Sequence, residues 1–153
     1  MIPMKDLTME LAKKAGMVRY FGPLMVAKHA PEYLKAGPAS SIVFTTGAVS
    51  EKPIPGWSLV NGYATGLHGL TRGLALDLKP IRVNLVSPGA VETELWDGMP
   101  PDMREARFKA FAESSATGTI GKVHDVAEAF LYLMKDQNVT GTVISTNSGS
   151  LIM

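Results

Sequence analysis

The stretch Leu70-Thr71-Arg72-Gly73-Leu74-Ala75-Leu76-Asp77-Leu78-Lys79-Pro80-Ile81-Arg82-Val83-Asn84-Leu85-Val86-Ser87-Pro88-Gly89 changes period halfway along. Up to Leu78 its apolar residues recur every three or four positions, the spacing of one helix face. Beyond Lys79-Pro80, the run Ile81–Val86 has the β-branched content of a strand, and Ser87-Pro88-Gly89 closes it. A long helix feeding a strand is half of a βαβ unit.

Working backwards, the helix extends to Trp57. Leu59, Tyr63, Leu67, Leu70, Leu74 and Leu78 form one stripe, and Gly62, Gly66, Gly69 and Gly73 form a second. Each interior glycine costs roughly 1 kcal/mol relative to alanine. Four in a row therefore predict that another backbone packs close to that face. Ser41–Thr46 reads as an earlier strand, continuously apolar at its centre and covered on both faces. Gly47–Gly56 is the loop between them. Residues 7–34 read as helical with an interruption at Gly22-Pro23, and Lys35–Pro38 stops that helix. Forwards, a helix over Asp102–Glu113 is entered through Pro100-Pro101. Asp125 and Glu128 have the spacing of a capping box, opening a helix to about Met134. Gly141–Thr146 is a third strand. Alternating strands and helices predict an α/β fold with a parallel sheet whose first and third strands are edges.

The composition is that of one globular unit: 153 residues, 46% hydrophobic and 19% charged. Fifteen Lys+Arg against fourteen Asp+Glu leave no basic block for a nucleic acid backbone. Cysteine is absent, which excludes disulfides and thiolate metal sites. His29, His68 and His124 share no ligand spacing, so no metal is expected. No run approaches the roughly 18–20 apolar residues of a membrane span, and residues 1–17 lack the apolar core of a signal peptide. A cytoplasmic protein is the expectation.

The run Leu70–Gly89 resembles the long helix, following strand and proline-glycine turn of the short-chain dehydrogenases/reductases (SDRs). Asp125-Val126-Ala127-Glu128 and Val139-Thr140-Gly141-Thr142 resemble that family's last helix and last strand, and Ser41–Thr46 the strand beside its catalytic serine. The resemblance covers essentially all 153 residues. It implies the C-terminal part of a Rossmann-like doubly wound parallel sheet in a single domain, with a substrate lobe over residues 90–118. The family's N-terminal nucleotide-binding half is missing, and no G-x-x-x-G-x-G run occurs anywhere in the sequence.

The resemblance also registers the family's catalytic positions. Counting back from Gly69-Leu70-Thr71 puts the lysine at Ala64 and the tyrosine at Val60. Counting along the strand from Ser41 puts the serine at Gly47, and the thirteen-residue interval between Gly47 and Val60 matches. The asparagine of the preceding helix falls on Arg19. Valine and alanine transfer no protons, so tyrosine-driven hydride chemistry is not expected. Tyr63 lies three residues beyond Val60, rotated by about 300° on a helix, and belongs to the leucine stripe.

By the same resemblance, NADP or NAD is the cofactor, with Pro88, Gly89, Val91 and Thr93 along its nicotinamide. Each candidate has a plainer reading. Arg19 is an anion-binding or charge-stabilising group, or a surface arginine. Thr45 and Thr46 touch substrate, or satisfy backbone groups at the strand end. Trp96, Met99, Met103, Phe108 and Phe111 line an apolar substrate pocket, or form the core of a small capping helix. Asp97 is an acid of the lobe, while Glu92 and Glu94 form a solvated face. SDR-like proteins of fungal alkaloid pathways also lack the tyrosine–lysine pair and reduce imines or guide cyclisation, which the resemblance makes one expectation. The other is a truncated, non-catalytic remnant or interaction subunit. Either is expected to pair as a homodimer through the helices at 7–34 and 57–78, as the family does.

Overall fold

The computed structural model describes residues 3–153. Strands β1 (Ser41–Thr45), β2 (Arg82–Pro88) and β5 (Val143–Thr146) form a parallel sheet in the order β1-β2-β5. Its register runs from Ser41 opposite Arg82 to Thr45 opposite Val86, and from Leu85 opposite Val143 to Pro88 opposite Thr146. The first and third expected strands are the edges, and β2 is buried from Arg82 through Ser87.

Helix α3 (Ser58–Asp77) links β1 to β2, and α5 (Val123–Lys135) precedes β5. Successive strand side chains point to opposite faces. Val83 and Leu85 pack in one cluster with Ile42, Phe44, Ala27 and the α3 residues Leu67 and Leu74. Arg82 and Asn84 point the other way, toward the end of α5 and the turn at Val139. The sheet is thus covered on both faces, which explains why its strands read as apolar rather than alternating.

Arg82 is 3% exposed. Its guanidinium donates to Pro38 O (2.6 Å), Leu133 O (2.6 Å), Val139 O (3.2 Å) and Met134 O (2.9 Å). Asn84 donates to Val139 O (2.8 Å) and accepts from Thr142 N (3.2 Å). These two side chains fix α5 and the entry to β5 against the central strand.

Several expectations shift. The interruption in 7–34 is a π-helical turn, Met17–Phe21, between α1 (Met9–Gly16) and α2 (Gly22–His29). Pro23 lies in the first turn of α2, where its missing N–H leaves no bond unmade. Asp125 does not cap α5: the helix begins at Val123 and no side chain caps it. Asp125 instead lies in its first turn, where negative charge is favoured. The glycine row meets no other backbone of this chain. Added Cβ atoms at Gly62, Gly69 and Gly73 would have nothing within 4 Å, and one at Gly66 would touch the Tyr20 ring at 3.1 Å. A second, two-stranded parallel sheet of β3 (Val91–Glu92) and β4 (Gly121–Lys122) brackets α4 (Pro101–Glu113).

Candidate functional site

The loop after β1, the start of α3 and the turn after β2 meet at the C-terminal end of the sheet, where open α/β sheets take ligands. Gly47 begins a 3-10 turn, Ala48–Ser50, and a Cβ on it would lie 3.6 Å from Pro88 O. Thr46 Oγ1 donates to Ala64 O at 3.1 Å. Ala64 is buried, and Val60, half-buried, lies one turn earlier on α3. Gly47, Ala64 and Pro88 therefore lie in one region, with Val60 one turn away along α3. Together they offer a methyl, an isopropyl group and bare backbone where a proton relay would need polar groups.

Thr46 spends its hydroxyl on the helix backbone, the plainer of its two readings. It does not line the cavity that holds Trp96 and Met99, so the three expected pocket residues do not form one pocket. The loop is fastened to a polar face of α3. Asn61 Nδ2 donates to Val49 O, Thr65 Oγ1 donates to Ser50 O at 2.7 Å, and His68 Nε2 lies 2.9 Å from the buried Ser50 hydroxyl. Asn61, Thr65 and His68 recur at spacings of four and three, a third stripe on α3 that the leucine and glycine stripes overshadow.

Tyr63 is structural. Its hydroxyl donates to Ala12 O at 3.0 Å, and its ring packs with Tyr20 and Phe21 at centroid distances of 5.9 and 6.1 Å. A Cβ at Gly16 would strike that ring at 2.5 Å, so the glycine is what lets α1 lie on Tyr63. Arg19 stands on the π-helical turn beside these rings, exposed, and none of the ion pairs among the described residues includes it.

The turn after β2 is tightly built. Gly89 lies against the next strand end, where a Cβ would come 2.8 Å from the Asn147 Cα. Val91 O accepts the Trp96 indole N–H at 2.8 Å, and Thr93 Oγ1 accepts from Leu95 N at 3.3 Å. In the lobe, Trp96 meets Phe108 and Phe111 at 5.9 and 5.7 Å, with the Arg107 guanidinium 5.7 Å from its ring centroid. Trp96 is thus the centre of the small core of the capping helix. Its other side, with Leu95, Gly98, Met99, Pro100 and Met103, lines an open cavity of about 450 Å³. Asp97 is held by Arg104 at 2.9 Å, and Glu92 pairs with Lys122. His29 pairs with Glu32 and His124 with Asp125. Among the described residues no cluster of His, Asp and Glu could hold a metal, and no helix is long and apolar enough to cross a membrane.

Comparison with known proteins places this geometry. A profile of the SDR-like Rossmann domain matches residues 1–153. The chain is 46% identical over 150 residues to the short-chain dehydrogenase/reductase malC of Malbranchea aurantiaca, covering 98% of this chain and 57% of that protein. It is 40% identical over 153 residues to the short-chain dehydrogenase/reductase fsr5 of Gibberella fujikuroi, covering 97% and 57%. Among solved structures, the MalC reductase/Diels-Alderase superposes with a TM-score of 0.94 over 99% of this chain and 58% of its own, at 46% identity. A small-chain dehydrogenase in complex with NADPH superposes with a TM-score of 0.90 at 32% identity, covering 99% of this chain and 68% of its own. The chain thus spans under three fifths of the length of these two curated relatives. With a family profile matching the whole chain and 46% identity over 98% of it to one member, the chain belongs to the short-chain dehydrogenase/reductase family.

Proposed function

We propose that this chain is the substrate-side part of an NADP- or NAD-linked oxidoreductase of secondary metabolism. It acts on an alkaloid-type substrate by imine reduction or cyclisation, without a tyrosine–lysine relay. The observation that carries this reading is the strand-end region itself. Gly47, Val60 and Ala64 offer no group that moves a proton, while the turn from Pro88 to Thr93 is closely packed in place. The similarity to a protein described as a reductase/Diels-Alderase supports chemistry of the same kind.

The residues present fit the nicotinamide end of the cofactor. Thr93 Oγ1 accepts from Leu95 N, which leaves its hydroxyl hydrogen free to donate to a carboxamide. Pro88, Gly89 and Val91 supply backbone beside it. The pyrophosphate end would need the glycine-rich turn that this sequence does not contain. The bound nicotinamide supplies the hydride. The chain's own residues orient: the open cavity at Trp96, Met99 and Met103 favours an apolar body. Arg19 brings a fixed positive charge to an anionic or polarised oxygen of the substrate.

Titration with NADPH tests this. At tenfold its dissociation constant a ligand adds about 1.4 kcal/mol, and for a chain of this size that raises Tm by roughly 3–6 °C. Such a rise is expected in the millimolar range. No change in Tm or nicotinamide fluorescence up to millimolar NADPH sinks the dehydrogenase reading for this polypeptide.

A second reading, a non-catalytic subunit that pairs through the helices at 7–34 and 57–78, has an observation of its own. The accessible surface is 9577 Å² for 16.4 kDa, whereas a compact monomer of this mass exposes about 7,500 Å². A standard interface removes about 800 Å² per partner, so the excess leaves room for an isologous contact and for a nucleotide-binding segment. Gly62, Gly69 and Gly73 face open space, and Met17 and Val18 on the π-helical turn and Met25 on α2 are exposed. Light scattering should read twice the chain mass. The mass of a single chain at high concentration removes this reading.

A further inference from the structure

The loop after β1 and the segment after β5 leave the sheet on either side of β2, and Lys52 joins them. Its ammonium donates to Ser150 O and to Met153 O, each at 2.8 Å. Among the described residues no side-chain carboxylate pairs with it, and its hydrogen bonds go to main-chain oxygens of the last residues.

The segment is also tied at its other end. Thr117 N, from the substrate lobe, donates to Ser148 O at 3.2 Å. Gly149 lies against Ala116, where an added Cβ would come within 2.6 Å of the alanine methyl. Asn147 backs Gly89 of the turn after β2. Residues 147–153 therefore run from that turn, past the lobe, to the loop that carries Gly47.

Two features suit this segment to movement as a unit. Ser148 (φ 55°) and Gly149 (φ 72°) are consecutive left-handed residues. Serine seldom adopts that conformation, and such positions are where a chain changes direction sharply. Beyond them the segment has its own short turns, with Ser150 N bonded to Asn147 O at 3.0 Å and Ile152 N to Gly149 O at 3.1 Å. It carries Ile152 and Met153, which are 83% and 63% exposed. Two large apolar side chains at the tip of a tethered segment beside a strand-end site suit contact with an apolar ligand better than contact with water.

We propose that residues 150–153 form a strap at the strand ends, hinged at Ser148-Gly149 and latched by Lys52. When latched, the strap holds the site loop and the lobe in one arrangement; when released, it opens the site to substrate. Lys52 is a positioning residue, acting through the strap. The inference rests on the placement of the site at Gly47 and Pro88 argued above.

Hydrogen exchange on the full chain tests it without cofactor or substrate, so it can fail while NADPH binds, and hold while NADPH does not. In Lys52→Met the amides of Ser150 and Ile152 are expected to exchange about tenfold faster, with Ser50 and Glu51 of the site loop moving in the same direction. Lys52→Arg keeps a donor at the end of a long side chain and should restore slow exchange. The Leu85 amide, bonded to Thr142 O in the core of the sheet, should be unchanged in both variants and reports any general loosening. Strap amides that exchange in Lys52→Met as in the unaltered chain overturn the latch. Faster exchange in Leu85 as well, or no recovery in Lys52→Arg, overturns it equally, because either result makes the effect a loss of fold or of bulk.

Discussion

Arg82→Leu is expected to cost about 3–5 kcal/mol, because it strips one buried and three part-buried carbonyls of their donor at once while leaving the bulk of the side chain in place. Arg82 is 3% exposed and donates to the carbonyls of Pro38, Leu133, Met134 and Val139. Leu133 and Met134 are in the last turn of α5, whose carbonyls have no intrahelical partners. The guanidinium therefore caps the helix from the side, with its charge at the negative end of the helix dipole. At 2–4 °C per kcal/mol for a chain of this size, Tm should fall by roughly 6–20 °C in thermal unfolding followed by circular dichroism. Arg82→Lys should recover little of this, since one ammonium cannot reach acceptors spread around a planar fork. A Tm within about 2 °C of the unaltered chain would falsify the account of Arg82 as the fastening of α5.

Leu133→Ala is the second large effect, about 3 kcal/mol for removing a fully buried leucine side chain and leaving a cavity. Leu133 is 0% exposed and is the one fully buried residue of α5. Its side chain anchors the helix to the sheet, while its carbonyl accepts from Arg82 and from the Ser41 hydroxyl. The alanine variant keeps that carbonyl, so it measures packing alone. The two sites touch, and the double variant should lose less than the sum, because once α5 has loosened the carbonyl bonds are already weakened. Strict additivity in urea unfolding would mean that packing and capping hold different parts of the molecule.

Most of the architecture was legible in order along the chain. The change of period at Leu78–Ile81 locates α3 and β2, and apolar runs locate β1 and β5, because a parallel sheet covered on both faces needs continuous apolar strands. Two independent counts along the sequence point to Gly47, Val60 and Ala64, and the structure brings Gly47, Ala64 and the Pro88 turn into one region. The start of α5 was not legible, since Asp125 and Glu128 have capping-box spacing yet lie inside a helix that begins at Val123. Local spacing competes there with the strand pairing of Gly121–Lys122 to Val91–Glu92, which sets where the helix can begin.

The family fold was thus legible in the sequence itself, and so is the chemistry open to Gly47, Val60 and Ala64, because side-chain identity decides whether a position can carry a proton. The tertiary structure decided what the remaining polar groups do. Along the sequence Arg82 reads as a strand residue, Tyr63 as part of the leucine stripe and Thr46 as a substrate contact or a backbone partner. Folded, they cap a helix, brace α1 and bond the α3 backbone. Their partners lie 51, 51 and 18 residues away along the chain, and a buried donor takes whichever acceptor the packing brings to it. That choice is made in space, where spacing along the chain has no say.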